Sequence, residues 1–248
     1  MSARDRWFHR PVPRPDARVR LVCVPYAGAG AAAFNGWPAL LADDVELVGV
    51  RLPGRENRLA ERPLSDWPSL VAEFTGMLME RVRSPYVLFG HSMGAMLAYE
   101  AAVSGLDRRP DRVVVSACRP PGAPRMSAAI HDLPGPGFAE GLARLGGMPP
   151  QILASRDLMA MLEPVLRADI RLAETWREDA AGREPEPVPV PVTALWGSDD
   201  EVAPRDTVAA WKALAPGGFT GHQVPGGHFF LDGSAAAVIE LLDRELRP

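Results

Sequence analysis

An apolar run, Tyr86-Val87-Leu88-Phe89, breaks into Gly90-His91-Ser92-Met93-Gly94 and continues as the helix-like Ala95-Met96-Leu97-Ala98-Tyr99-Glu100-Ala101-Ala102. A strand that reverses sharply into a helix forces backbone segments together. A Cβ two residues to either side of the serine would clash there, which is why glycine occupies both positions. Strand, G-x-S-x-G turn and helix together read as a nucleophile elbow, with the Ser92 hydroxyl left exposed at the end of a sheet. The competing reading is a serine that merely caps a helix, common for serine in general. The strand before it and the helix after it favour the elbow.

That elbow needs a sheet, and the rest of the chain supplies one. Strand candidates are Arg20–Val24, Glu46–Val50, Tyr86–Phe89, Arg112–Ala117, Val190–Trp196 and Phe219–Val224. Most are continuous apolar runs, the pattern of strands covered by helices on both faces. Helical candidates lie between them at Ser65–Arg83, Met93–Ser104, Arg205–Leu214 and Ser234–Leu246. Strands alternating with helices predict an α/β fold with a mostly parallel, doubly wound sheet that binds ligands at the carboxyl ends of its strands.

One stretch breaks the rhythm. Residues 122–189 hold no strand candidate, only helical pieces at Gly137–Leu145, Arg156–Leu162 and Glu163–Glu178, with Ser155 placed to cap the second and Pro164 in the first turn of the third. A helical insertion between two strands, near the active edge of a sheet, predicts a lid. The alternative is helices that only decorate the core. Met126, Met148, Met159 and Met161 offer a soft apolar surface there, or else fill core gaps. The insertion ends in a proline-rich stretch, Arg183–Pro191, that reads as a stiff extended connector.

At 248 residues and 47% hydrophobic, the chain fits one large core, so a single domain spanning 1–248 is expected, with 122–189 inserted in it. A formal charge of −4 argues against nucleic acid as a general partner. The two cysteines, Cys23 and Cys118, sit in apolar segments without metal-ligand spacing and read as buried thiols, which suits a reducing compartment. The Arg- and Pro-rich first twenty residues have no apolar signal core, and no run approaches the roughly 18 apolar residues of a membrane span. A cytoplasmic monomer, away from membranes, is the expectation.

Free serine is a weak nucleophile and needs a base. Three histidines follow Ser92: His131 lies at the entry of the insertion, His222 inside a strand candidate, and His228 after the flexible Pro225-Gly226-Gly227 and before Phe229-Phe230-Leu231. A mobile turn anchored by apolar residues suits a general base, so His228 is the candidate. For the orienting acid, no Asp or Glu occurs between Asp111 and Asp132, which leaves the turn after Val190–Trp196. That turn reads Gly197-Ser198-Asp199-Asp200-Glu201; Asp200 is the choice and Asp199 the alternative. Two amides are expected to stabilise an oxyanion: Met93, at the helix N-terminus, and Ala27, in the glycine-rich loop Pro25–Gly30. The rival reading of that loop, the start of a dinucleotide fingerprint, has nothing else in its favour.

Six segments together resemble the discrete type II thioesterases of polyketide and nonribosomal peptide biosynthesis. They are Val24-Pro25-Tyr26-Ala27-Gly28, Arg51-Leu52-Pro53-Gly54-Arg55, the elbow, Ala168-Asp169-Ile170-Arg171-Leu172, Gly197-Ser198-Asp199-Asp200 and Gly226-Gly227-His228-Phe229-Phe230-Leu231. The resemblance implies an α/β-hydrolase fold with a helical lid. It implies hydrolysis of acyl groups from the phosphopantetheine thioester of acyl or peptidyl carrier proteins, in clearing misprimed or stalled assembly lines. It also implies Ser92 as nucleophile, His228 as base, Asp200 as acid, and Ala27 and Met93 as oxyanion donors. The first loop departs slightly, with Gly-Ala-Gly where a Gly-Gly pair is commoner. No metal or bound cofactor is required, because the pantetheine arm arrives with the carrier-protein substrate. Carrier domains are typically acidic, so Arg51, Arg55, Arg58 and Arg62 are candidates for transient docking, against the alternative of solvated loop arginines. An esterase of free small molecules, a product-releasing hydrolase of the same fold and a non-catalytic binding protein are the other readings.

Overall fold

The computed structural model describes residues 6–123, 128–180 and 184–246. Among them seven strands form one sheet: β1 (Phe8–His9), β2 (Val19–Val24), β3 (Val45–Val50), β4 (Tyr86–His91), β5 (Arg112–Ser116), β6 (Val192–Gly197) and β7 (Phe219–Val224). They lie in the order β1-β3-β2-β4-β5-β6-β7, all parallel except β1, which pairs antiparallel with β3. Strands β2, β3, β4 and β6 are buried along their whole length, as expected of largely apolar strands covered on both faces, and the two charges they carry, Arg20 of β2 and Glu46 of β3, pair with each other.

Among the described residues seven α-helices accompany the sheet: α1 (Trp67–Arg81), α2 (Met93–Val103), α3 (Gly135–Leu145), α4 (Pro150–Ala154), α5 (Arg156–Ala180), α6 (Arg205–Val208) and α7 (Leu231–Glu245). On one face α1 and α2 pack on Val22, Val48, Leu88 and Val115. On the other face α7 packs on Leu21, Phe89 and Val114. Nine of the eleven residues of α2 are buried, so this helix is an element of the core. The short α6 tightens directly into a 3-10 turn over Ala209–Leu214.

Helices α3, α4 and α5 make up the insertion. The two pieces expected at Arg156–Leu162 and Glu163–Glu178 are one continuous helix, α5, with Pro164 inside it. Proline there lacks the amide that would bond one turn back and disfavours a helix by about 3 kcal/mol. Packing outweighs it: Met159 and Leu162 join the apolar cluster of the insertion before the proline, and Leu166, Ile170, Leu172 and Trp176 are buried after it. Ser155 does cap this helix, accepting from the Leu158 amide at 3.4 Å.

The insertion is not evenly attached. The far half of α5 is locked to the sheet's helices, with the Trp176 indole donating to Glu100 at 2.6 Å and the Trp67 indole donating to the Leu172 carbonyl at 2.8 Å. Helix α3 rests instead on α5 through Phe138 and Leu142, joined by Ile130 from the segment before it, and α4 through the partly buried Leu153. Of the methionines, Met148 and Met159 pack on this cluster, Met161 is exposed, and Met126 lies outside the described residues, as does Arg183 at the head of the connector. The rest of the connector is docked, with Val188 buried and its amide donating to the Leu214 carbonyl at 2.8 Å. Cys23 and Cys118 are both buried. Among the described residues no helix is long and apolar enough to cross a membrane.

Candidate active site

Ser92 stands at the carboxyl end of β4, with φ 52° and ψ −117°, a conformation that L-residues seldom adopt. The turn is crowded as its glycines imply. A Cβ on Gly90 would lie 2.1 Å from the Gly94 carbonyl oxygen, and one on Gly94 would lie 2.3 Å from the Val24 carbonyl oxygen of β2. The Ser92 amide donates to the Ser116 carbonyl of β5 at 2.8 Å, which pins the elbow to the neighbouring strand.

His228 arrives from β7, on the far side of β5 and β6. Its loop crosses the end of β6 so closely that a Cβ on Gly197 would meet the Gly226 and Gly227 carbonyl oxygens at 2.4 and 2.7 Å. His228 Nε2 then lies 3.0 Å from Ser92 Oγ. His228 Nδ1 lies 3.0 and 3.1 Å from the two carboxylate oxygens of Asp200. An ionised carboxylate only accepts, so Nδ1 carries the proton and Nε2 is left to accept from the serine hydroxyl. Asp199, the alternative, is an exposed residue whose carboxylate accepts from Ser198 Oγ at 2.8 Å.

Burial pushes the Asp200 carboxyl upward. The hydrogen bond and charge of His228, with the Ala203 and Val202 amides at 2.8 and 2.9 Å, outweigh it and hold the group below the usual carboxylate range. The site therefore keeps a fixed anion under the imidazole, suited to stabilising an imidazolium.

Sequence reasoning passed over His91, the variable residue of the elbow. It is fully buried, its Nδ1 lying 2.8 Å from Ser116 Oγ and its Nε2 2.8 Å from the His228 carbonyl oxygen. A carbonyl can only accept, so Nε2 donates to it and Nδ1 accepts from the serine. The side chain next to Ser92 thus grips the backbone of the loop that delivers His228. Its neighbour Ser116 offered no sequence signal, because the two are joined only by strand register.

Burial, joined by the charge of His228, drives the His91 imidazole down to about 3, against the opposing hydrogen bond from its ring to the His228 carbonyl and the charge of Asp200. A histidine free in the unfolded chain titrates near 6.5, so below that pH the unfolded state binds the extra proton. Stability from this residue is complete above about 6.5 and falls with acidification by about 1.4 kcal/mol per pH unit once the unfolded histidine is protonated. His91→Asn is expected to flatten this slope, as thermal melts between pH 7 and 4.5 would show; an unchanged slope would remove His91 from the account.

The Ala27 amide lies in the loop after β2, where Ala27 lines the same cavity as Ser92, and the Met93 amide follows Ser92 at the first position of α2. Among the described residues neither donates to a backbone carbonyl, whereas the neighbouring Ala29 and Ala95 amides do. A cavity of about 310 Å³ opens on Ser92, His228 and Ala27 and runs beneath the insertion between Leu142, Met148, Ile152 and Leu166. Arg119 and Glu174 give it polar margins. Gly147, between α3 and α4, lies against the Phe229 ring, where a Cβ would approach within 2.3 Å.

The four loop arginines are not alike. Arg62 is exposed, and Arg51 pairs with Glu56 at 3.1 Å. Arg55 is 7% exposed and doubly bonded to Asp169; Arg58 is 4% exposed, pairs with Glu61 and lies 4.3 Å over the Trp7 ring. Buried and internally matched, Arg55 and Arg58 leave the set of candidate docking charges. The pairing of Arg55 was hidden because Asp169 is far away in sequence.

Residues 19–246 match the model of the thioesterase domain family. Gramicidin S biosynthesis protein GrsT of Aneurinibacillus migulanus is 32% identical over 250 residues, which covers 100% of this chain and 96% of the relative. Among solved structures, the type II thioesterase BorB from the borrelidin biosynthetic cluster matches with 33% identity and a TM-score of 0.85, covering 98% of each chain. RedJ, the thioesterase of the prodiginine pathway in Streptomyces coelicolor, matches with 37% identity and a TM-score of 0.83, covering 99% of this chain and 100% of its own.

Proposed function

The chain belongs to the thioesterase domain family, with its α/β-hydrolase fold and its hydrolysis of thioesters, and on that premise we propose that it removes acyl groups from the phosphopantetheine arms of polyketide or peptide carrier proteins. One observation carries the assignment of roles: the unbroken hydrogen-bonded line from Ser92 Oγ through His228 to Asp200, at 3.0 Å for each link. His228 takes the Ser92 proton as the hydroxyl attacks the thioester carbonyl. The Ala27 and Met93 amides hold the oxyanion, and the arm leaves as its thiol with the proton from His228. Water, activated by the same imidazole, attacks the acyl-serine and releases the free acid.

The cavity supports an extended acyl chain. Its walls are largely apolar, and at about 310 Å³ it falls at the small end of ordinary ligand pockets. RedJ holds a polyethylene glycol molecule in its own active site, a linear chain of comparable girth. Residues 122–189 act in this reading as the lid, with α3 and α4 as its movable part, since α5 is tied down by Trp176 and Asp169. The carrier docks transiently on a cytoplasmic monomer, and of the loop arginines Arg51, already paired with Glu56, and the exposed Arg62 are the two left to meet it.

The test is hydrolysis across acyl chains on a carrier protein, on small thioester analogues and on matching oxygen esters. Faster turnover of thioesters than of oxygen esters, with kcat/KM higher for carrier-bound chains, is expected. Preference for free oxygen esters would replace the reading with a small-molecule esterase, and a strong preference for one full-length product would make it a product-releasing enzyme.

A further inference from the structure

The Ala168–Leu172 segment of α5 takes no part in the chemistry above, yet its carboxylate is among the least exposed in the protein. Asp169 is 1% exposed and reaches out of α5 to the loop after β2. Its Oδ2 accepts from the Gly28 amide at 2.7 Å and from Arg55 Nη1 at 2.7 Å, while its Oδ1 accepts from Arg55 Nη2 at 2.7 Å. Arg55 Nη1 also donates to the Ala29 carbonyl at 2.8 Å. The carboxylate and the guanidinium thus hold both sides of the same short loop.

That loop is a turn, closed by the Ala29 amide donating to the Tyr26 carbonyl at 3.0 Å, with Gly28 at φ +79°. A four-residue turn uses the amide of its last residue and leaves those of its two central residues free. The central residues here are Ala27 and Gly28. Asp169 claims the Gly28 amide and leaves the other central amide, that of Ala27, in a residue that lines the same cavity as Ser92. Leu166, one turn earlier on α5, packs so tightly on Gly28 that a Cβ there would lie 2.7 Å from its Cδ2.

We propose that Asp169, held by Arg55, is a positioning residue for the oxyanion site: it orients the Tyr26–Ala29 turn so that the Ala27 amide, and not that of Gly28, points at the reacting carbonyl. This rests on the assignment of Ala27 as an oxyanion donor. It also makes the anchored half of α5 a part of the catalytic framework, distinct from the movable helices above it. An oxyanion donor acts in the transition state, so its misplacement lowers kcat and spares KM.

Two variants test this. Asp169→Asn leaves the Arg55 cation without its counter-charge, and the paired variant Asp169→Asn with Arg55→Gln removes both charges together, which avoids a lone buried ion. Each is assayed on a small acyl thioester, with functional sites counted by end-point labelling with a fluorophosphonate. Per titrated site, kcat is expected to fall about 10- to 100-fold in both, within the range for a weakened oxyanion donor, with KM nearly unchanged. Affinity for a trifluoromethyl ketone analogue, whose adduct carries the oxyanion, should fall by the same factor. Full kcat and inhibitor affinity per site would overturn the proposal, and so would failure of both variants to fold, since the pair would then be a staple of the fold. If the unaltered protein neither hydrolyses the thioester nor labels, the functional reading itself has failed; an active protein with fully active variants sinks the positioning role alone.

Discussion

Replacing Ser92 with alanine is expected to lower kcat toward an acyl thioester by about 10⁴- to 10⁶-fold, the range seen when a serine nucleophile is deleted and only binding and oxyanion stabilisation remain. The conformation of Ser92 adds a second readout. At φ 52° and ψ −117° the residue sits where a side chain is strained, by about 1–3 kcal/mol. Alanine keeps its Cβ and therefore the strain, so Ser92→Ala should melt close to the unaltered protein. Glycine relieves it, less about 0.5–1 kcal/mol for the greater freedom of its unfolded chain. Ser92→Gly should thus be as inactive as Ser92→Ala yet melt higher, by about 2–4 °C for each kcal/mol gained in a protein of this size. A residual activity above roughly 1% of the original in either variant would mean that another group attacks the thioester. Equal melting of the two would mean that the elbow stores no strain at the nucleophile.

Much of this site was legible because its members are punctuated by glycine. The elbow, the Gly197 turn and Gly226-Gly227 mark the ends of β4, β6 and β7, where parallel strands deliver side chains to one edge. Strand positions were readable for the same reason that the sheet is buried: runs such as Leu21–Val24 and Val113–Val115 have no polar face to obscure them. Strand β1 escaped because two residues, Phe8 and His9, make no pattern, and its pairing with β3 is purely tertiary. Pro164 misled because a local rule was read without the packing that overrides it. The start expected for the last helix, Ser234, marks a real irregularity: its φ of −123° interrupts a helix that begins at Leu231. The loop arginines show the deepest limit. Charge is visible in a sequence, but whether Arg55 faces solvent depends on Asp169, 114 residues later, and on the path of α5 between them.

Gly90→Ala is expected to prevent folding at ordinary temperature, a loss above about 4 kcal/mol and so in the range reserved for core disruption. The added Cβ would lie 2.1 Å from the Gly94 oxygen, 2.3 Å from its carbon and 2.5 Å from the Ala95 nitrogen, all of them backbone atoms of the turn into α2. None can swing aside as a side chain would. Strand β4 is fixed by β2 and β5 on its two sides, and α2 is buried almost all round, so neither element has room to retreat. The same substitution at Gly76 should have the opposite sign. Gly76 is an exposed residue inside α1, where an added methyl group would meet nothing within 4 Å, and Ala there should stabilise the protein by about 0.5–1 kcal/mol through helix propensity. Denaturant melts of the two variants separate steric demand from conformational preference. A soluble, normally melting Gly90→Ala protein would show that the strand and helix can part at the elbow, and the close approach that sets Ser92 in place would then be a consequence of the fold and not its condition.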